Sequence, residues 1–488
     1  MYRVGFGDFF LVTVPTSKGD QYILIDCGVF KGKSGTGDIG SIVDAVEDMY
    51  KTTKGHLALV IMTHRHADHI AGFAKAAKRF QDFTASMVWM PYWEKFNDKA
   101  KAKAKAAKDK NLALDKDGSE AEEEDENEAY NLLSNIDALA TNLALQFRGR
   151  QDPDATEALA QLANATGIED FNAVAANGTK KAGGNAVALD LLKNHLGDKG
   201  KKVRYYAADD EPELPDELKG LKATILGPPP KKASAFLSLM DLKKGVGQYL
   251  DSMTDGTDGP KTIQPFADVW KANLEDYPKK DPKEYDINYE QFADNVDNSQ
   301  PDMLIAAATK IENFLNNQSL VVLFEFDGKK LLFAGDAQGG NWEYWLFNTN
   351  EPIKDPTKAG DLVEASKELL QTIDFYKVGH HGSTNATPIQ AIEAAIARPK
   401  TSKGFISMCS TEDLVFGSRD NNSEVPRLPL MDVIGKGSCL IRSDAIPITF
   451  TDPKTNKQVT VDARDGVTLP KPKVGKINKT KLYLEYEF

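Results

Sequence analysis

The 488-residue chain is poor in cysteine, with only Cys27, Cys409 and Cys439, and poor in histidine, with seven. Three cysteines cannot build a disulfide framework, and none stands in the CxxC spacing of a zinc knuckle. A reducing compartment is the expectation, and the localisation reads as cytoplasmic. No run approaches the ~18 apolar residues a membrane helix needs, and residues 1–8 are broken by glycine and aspartate where a signal peptide would carry an apolar core. No membrane partner is expected. Positive charge is also in deficit: 60 Lys+Arg against 72 Asp+Glu leave a net charge of -12. That disfavours whole-surface adhesion to nucleic acid or anionic lipid, while leaving room for a local basic groove. The hydrophobic fraction of 41%, with 9% aromatics, suffices for a sizeable core and excludes a wholly disordered chain. Five of the few histidines fall into two tight clusters, 64–69 and 380–381.

Hydrophobic patterning organises the chain as an α/β frame with insertions. Phe9–Val14 and Tyr22–Ile25 read as a hairpin around Ser17-Lys18-Gly19-Asp20, and residues 39–50 as a helix. The apolar run 57–62 leads directly into Thr63-His64-Arg65-His66-Ala67-Asp68-His69, followed by a basic helix over 70–80 and a strand at 87–90. We read 1–93 as the first half of a sandwich and 94–202 as a helical, charge-rich insertion. Within it, the lysine–alanine run and the acidic block Glu120–Glu128 read as solvated faces or a flexible arm. Residues 203–230 return strands to the frame, and 231–300 form a polar insertion or lid. Residues 301–415 form the second half, with a hairpin at Asp327-Gly328, and 416–488 a β-rich C-terminal extension. The aromatic run Trp342, Tyr344, Trp345 and Phe347 reads as core packing.

Three predicted strands end in ligand-type residues: the 64–69 string, Ala334-Gly335-Asp336-Ala337, and Val378-Gly379-His380-His381-Gly382-Ser383. Sheets of this class bind ligands beyond strand termini. In extended backbone i and i+2 face one way, so His64 and His66 can present two imidazoles to one ion. Asp68 and His69 follow where the chain turns helical and point toward a second ion. Asp336 can bridge two ions, and His380 can complete the second. Imidazole and carboxylate donors suit zinc, with manganese or iron as alternatives.

These segments, with Gly7-Asp8, Leu24-Ile25-Asp26-Cys27-Gly28 and Asn316-Asn317-Gln318-Ser319-Leu320-Val321, resemble the metallo-β-lactamase superfamily. Closest in flavour is the branch that includes the metallo-β-lactamase domain of bacterial DNA-uptake channel proteins. The resemblance implies a four-layer αββα sandwich with a di-metal site on its rim. By position it assigns His64 and His66 to one metal and Asp68, His69 and His380 to the other, with Asp336 bridging. His381 is the alternative to His380, which is preferred as the nearer to the strand end. Many members carry a further histidine before the Gly-Asp motif. Only His195 lies there, in a predicted helix, so it is not carried over, and one or two ions are expected.

The expected function is hydrolysis by a metal-bound hydroxide, most readily of a phosphodiester, as a phosphodiesterase or nuclease. Asp68 would orient the nucleophile, and Lys377 or His381 would stabilise developing charge. Asp26 would fix a ligand histidine, and Ser383 and Asn385 would line the substrate rim. The alternatives are a hydrolase of a carbonyl substrate (lactone, thioester or β-lactam) and an interaction module with a vestigial metal site. The phosphodiester reading makes nucleic acid a possible substrate, and 94–202 could dock a protein partner.

Overall fold

Apolar runs bounded by turn residues become the strands of two sheets. The computed structural model describes residues 1–30, 41–95, 140, 143–144, 153–168, 171, 183–238, 301–349, 351–353, 361–383, 385, 387–398, 404–413, 415–417, 419, 424–446, 448–451, 458–461 and 467–488. The lysine–alanine run from Lys99, the Glu120–Glu128 block and the polar stretch 239–300 lie outside them.

In the first sheet β1 (Phe9–Thr16) turns back at Ser17-Lys18 into antiparallel β2 (Gly19–Cys27). β3 (His56–Ile61), β4 (Thr84–Pro91) and β5 (Val203–Tyr206) follow in parallel, in the order β1-β2-β3-β4-β5. Interior parallel strands are covered on both faces, which is why β3 is an unbroken apolar run from Leu57. The second sheet runs β11-β10-β9-β8-β7-β6, comprising β6 (Lys222–Gly227), β7 (Val321–Phe326), β8 (Lys329–Phe333), β9 (Phe375–Lys377), β10 (Ile406–Cys409) and β11 (Cys439–Arg442). Its members from β8 to β11 are parallel. The β7–β8 hairpin closes on Asp327 (φ 48) and Gly328 (φ 71), the paired left-handed conformations a two-residue hairpin turn requires. Short two-stranded sheets follow, β12 (Ile448–Thr451) with β13 (Gln458–Val461) and β14 (Lys476–Lys479) with β15 (Leu484–Glu487).

The sheets face each other. Ile23 and Ile25 of β2 and Trp89 of β4 share one core with Val322 and Phe324 of β7 and Phe333 of β8. The Trp89 and Phe324 rings stack at 6.4 Å across it. Each buried Leu, Ile or Phe there contributes about 1.5–3 kcal/mol. Alternate residues point outward under helices. Leu24 and Val88 pack beneath α1 (Ser41–Thr53), α2 (Ala67–Lys75) and α3 (Ala77–Phe80). Val321 and Leu323 lie beneath a second helical layer that includes α7 (Gly339–Phe347), α8 (Glu364–Thr372), α9 (Ile389–Ile396) and α10 (Leu428–Gly437). The aromatic run of α7 is buried in that core. The fold is thus mixed α/β, with two facing sheets covered by helices.

The helix expected over 70–80 begins at Ala67 and breaks at Ala76 (φ -107) into α2 and α3. The described part of the 94–202 segment contains α4 (Pro153–Thr166) and α5 (Gly184–Asp190), the latter running on into a π-helical turn at Leu191–Leu196. Helix α6 (Pro301–Asn316), in a stretch assigned above only to the second half of the sandwich, packs beside α4 over Trp93 and Phe314. No helix among the described residues is long and apolar enough to cross a membrane.

Candidate metal centre

The parallel strands of both sheets end at one rim, as ligand-binding α/β sheets do. At the end of β2 lie Asp26 and, just past it, Gly28, and beyond β3 the string His64–His69. Beyond β8 comes Asp336, and beyond β9 His380 and His381. Backbone contacts knit these ends together. Leu320 N–H donates to Thr63 O at 2.9 Å and Asp8 N–H to Asp68 O at 2.8 Å. Gly28 lies so close under α2 that a Cβ there would stand 1.9 Å from Asp68 O. Gly335 (φ 53) makes the left-handed turn that delivers Asp336.

Among the described residues, donor atoms within 4.8 Å of one another include two groups at these strand ends: Asp68, His69, Asp336 and His381, and His64, His66 and Asp68. An ion with bonds of about 2.1 Å spans donors up to about 4 Å apart, so both groups are near coordination distance. His64 Nε2 lies 2.9 Å from His66 Nδ1. His381 Nε2 lies 3.3 Å from Asp68 Oδ2, and His69 Nε2 is 3.1 Å from Asp336 Oδ1. Asp8 Oδ1, His66 Nε2, Asp68 Oδ1, His69 Nε2, Asp336 Oδ2 and His381 Nε2 are buried and make no hydrogen bond. Buried polar atoms are normally satisfied, so convergent unsatisfied nitrogens and carboxylate oxygens are what a cation site requires.

Behind these donors sits a supporting layer. Asp26 accepts from Thr63 N–H at 2.8 Å and Thr63 Oγ1 at 2.6 Å, and from His69 Nδ1 at 2.7 Å. His381 Nδ1 donates to Ser410 O at 2.7 Å. Each ring is thereby turned so that Nε2 faces the cluster. The Lys377 ammonium, buried behind Asp336, pairs with Asp8 Oδ2, with Asp336 Oδ1 at 3.3 Å and with Gly335 O at 2.9 Å.

Burial drives imidazoles toward neutrality and carboxyls toward protonation. It holds the His64 pKa well below its usual value, assisted by His69 and His66, and takes His66 down to about 4. His69 goes the other way: against its burial, Asp336, Asp26 and Asp8 raise it well above the ordinary histidine value. His381 is likewise raised against burial, by Asp336 and Asp8. Against its burial, His381 and His69 beside it bring Asp68 down to about 2. Despite burial, His69 and Lys377 keep Asp336 ionised well below the carboxylate range. The centre is therefore a pocket of carboxylates balanced by protons on its own imidazoles.

The structure gathers His64, His66, Asp68, His69 and Asp336 as one neighbourhood, and it changes two assignments. His381, not His380, joins Asp68, His69 and Asp336. After β9 the backbone does not continue extended: His380 (φ 42) and His381 (φ 52) are both left-handed in a 3-10 turn. Nearness to the strand end therefore does not decide which ring points inward. His380 stands at the rim, with Nε2 3.9 Å from Asp336 Oδ2 and 3.8 Å from Glu312 Oε1. Its Nδ1 lies 3.2 Å from both Gln338 Nε2 and Asn385 Oδ1. Lys377, expected to meet substrate charge, is turned inward with its donors committed to Asp8, Asp336 and Gly335. Ser383 donates to Asn385 Oδ1 at 2.9 Å beside His380, and His195 stays out of both groups.

Sequence reasoning gave no role to Asp8, which forms a third group with Asp26 and His69. It also missed Thr63, Ser410, Asn164 and Asn185. Asp8 had a signal, since it stands in the Gly-Asp pair at the start of the chain; the two asparagines lie in Ala- and Gly-rich helical sequence that carries none. No family model matches the chain, and no curated protein matches it.

Proposed function

We propose that this protein is a metal-dependent hydrolase of the metallo-β-lactamase type, a four-layer αββα sandwich with a helical insertion, acting on phosphodiesters. One observation carries the reading: buried, unsatisfied nitrogen and carboxylate atoms of His66, Asp68, His69, Asp336 and His381 converge at the strand ends. The donor set fits zinc, with manganese or iron as alternatives. His64 and His66 would hold one ion, and Asp68, His69, Asp336 and His381 a second, with Asp68 common to the two groups. Ions held there supply an acidified water and Lewis acidity at the scissile centre.

The chain's own residues supply the rest. Asp26 and Ser410 fix the rings of His69 and His381. Lys377 keeps Asp336 charged and oriented without facing substrate. Asp68 stays ionised and is available to orient a nucleophile at its carboxylate. Ser383, Asn385 and His380 form the polar rim where a leaving group would be held. The alternative, a lactone, thioester or β-lactam substrate, has one observation on its side. Phe6 lies 4.2 Å from the His381 ring, and the Phe30–Phe416 stack beside it adds an apolar flank suited to an acyl group.

The test is turnover of bis-p-nitrophenyl phosphate, single-stranded DNA and a simple lactone by zinc- or manganese-loaded protein. Cleavage of a phosphodiester, lost in Asp336→Ala and His66→Ala, is the expected result. Opening of the lactone alone would transfer the reading to carbonyl substrates, and turnover retained by both variants would remove the site.

A further inference from the structure

Helix α2 begins at Ala67, inside the His64–His69 string, and its start lacks the usual device. A helix leaves its first N–H groups unpaired, and a Ser, Thr, Asp or Asn side chain at the N-cap ordinarily accepts one of them. Here the N-cap is His66, whose side chain makes no cap hydrogen bond and joins the donor cluster. The acceptor comes from elsewhere in the chain: Asn164 Oδ1, on α4 of the insertion, takes the Asp68 N–H at 3.1 Å.

A second asparagine completes the hold. Asn185, at the start of α5, donates from Nδ2 to Arg65 O at 2.8 Å and to Asn164 O at 2.9 Å. One amide group thus ties the peptide between His64 and His66 to the helix that caps Asp68. Both asparagines are buried. Glycines make this joint possible: α4 ends at Gly167 (φ 67), where a Cβ would meet Asn185 N at 2.5 Å, and a Cβ on Gly183 would meet Thr166 O at 2.2 Å. The Arg65 side chain reaches the opposite way and forms a buried two-pronged pair with Glu94, both bonds 2.7 Å, with Lys193 Nζ 4.0 Å from Glu94. Arg65 and the Asp68 amide are therefore both held by the segment that interrupts the sandwich.

We propose that Asn164 and Asn185 are positioning residues of the metal centre, through which the 94–202 insertion acts as a clamp that preorganises the His64–His69 ligand loop. The inference rests on the metal-centre reading. It assigns the described part of the insertion a role within its own chain.

The test compares zinc affinity, by chelator competition, in the full-length parent and in Asn164→Ala, Asn185→Ala and Asn164→Asp. The alanine variants should bind zinc about 10- to 100-fold more weakly, the range seen when groups that orient ligands are removed. Their metal-free forms should still unfold cooperatively, at a lower temperature than the parent because each loses buried hydrogen bonds. Asn164→Asp keeps an acceptor opposite the Asp68 N–H and should stay within about threefold of the parent, a rescue that mere filling of space would not give. Alanine variants that bind zinc as the parent does, or an aspartate variant no better than alanine, would overturn the clamp. Hydrogen exchange of the metal-free parent decides the same point without a substitution. The Asp68 amide should exchange together with the amides of α4, and an Asp68 amide still protected while α4 exchanges would refute it. If the parent binds no zinc, the metal reading has failed, and the exchange result still decides whether the insertion clamps the loop.

Discussion

Asp26 Oδ2 stands 2.7 Å from His69 Nδ1, on the side of the ring away from the nitrogen that faces Asp336 at 3.1 Å. The carboxylate fixes which nitrogen bears the proton and which lone pair is left for a cation. Asp26→Asn keeps the shape but offers an amide where an acceptor is needed. Zinc binding should weaken about 10- to 100-fold while the far-ultraviolet circular dichroism stays that of the parent. Unchanged affinity in a chelator competition would mean that Asp26 only closes the turn beneath Thr63.

Proton linkage supplies a second expectation. His69 and His381 are both raised above the ordinary histidine pKa, against their burial, by Asp336 and Asp8, joined at His69 by Asp26. At pH 6 both carry protons that an incoming divalent cation must displace, so affinity falls as pH falls, by about tenfold per pH unit for each proton displaced. About two protons should be released at pH 6 by the ion that Asp68, His69, Asp336 and His381 would hold. Titration calorimetry in two buffers of different ionisation heat measures that number, and a value near zero would contradict the site. In the cation-free protein these raised groups contribute stability that is fully present below about pH 6.5 and is lost as the pH rises through their folded pKa values.

Lys377 is buried between Asp8 and Asp336, so it is a structural counter-charge whose removal strands two carboxylates. Lys377→Met should destabilise the metal-free protein by about 3–5 kcal/mol, the cost of breaking a buried pair from one side. Saturating zinc should recover part of that loss, since a cation beside Asp336 replaces the missing charge. Denaturant unfolding with and without zinc checks both halves. A loss below about 1 kcal/mol would place this lysine with ordinary exposed pairs.

Strand ends, and the histidines and aspartates gathered at them, were legible because local chemistry sets them. The unbroken apolar run of β3 could only be a covered strand, and Asp327-Gly328 a hairpin turn. His64 and His66 were paired by extended backbone alone. What the sequence hid was long-range or conformational. The choice between His380 and His381 turns on two successive left-handed residues, which nothing in Gly-His-His-Gly announces. The inward turn of Lys377 depends on Asp8, 369 positions earlier in the chain. Helix α6 opens on Pro301-Asp302, an N-terminal signal, but the long polar stretch before it masks that signal. Asn164 and Asn185 meet the ligand loop only through tertiary packing, and asparagine in a helix carries no local mark of such a role.

Gly28 offers the sharpest test of how closely the strand ends must fit. A Cβ there would stand 1.9 Å from Asp68 O and 2.2 Å from His69 N, and both obstacles are backbone, unable to swing aside as a side chain would. Gly28→Ala must therefore push the start of α2 away from β2 by on the order of 1 Å, carrying Asp68 and His69 off the cluster, a displacement that costs a catalytic constellation about 100-fold. The hydrophobic cores beneath are untouched, so the fold should persist. Gly435→Ala in α10 is the matched control, because its Cβ would meet only Leu440 Cδ2, at 3.8 Å. That change should leave zinc affinity and phosphodiester turnover alone and add about 0.5–1 kcal/mol of stability from helix propensity. If Gly28→Ala binds zinc and turns over as well as Gly435→Ala does, the backbone contact between β2 and α2 has no part in setting the ligand geometry.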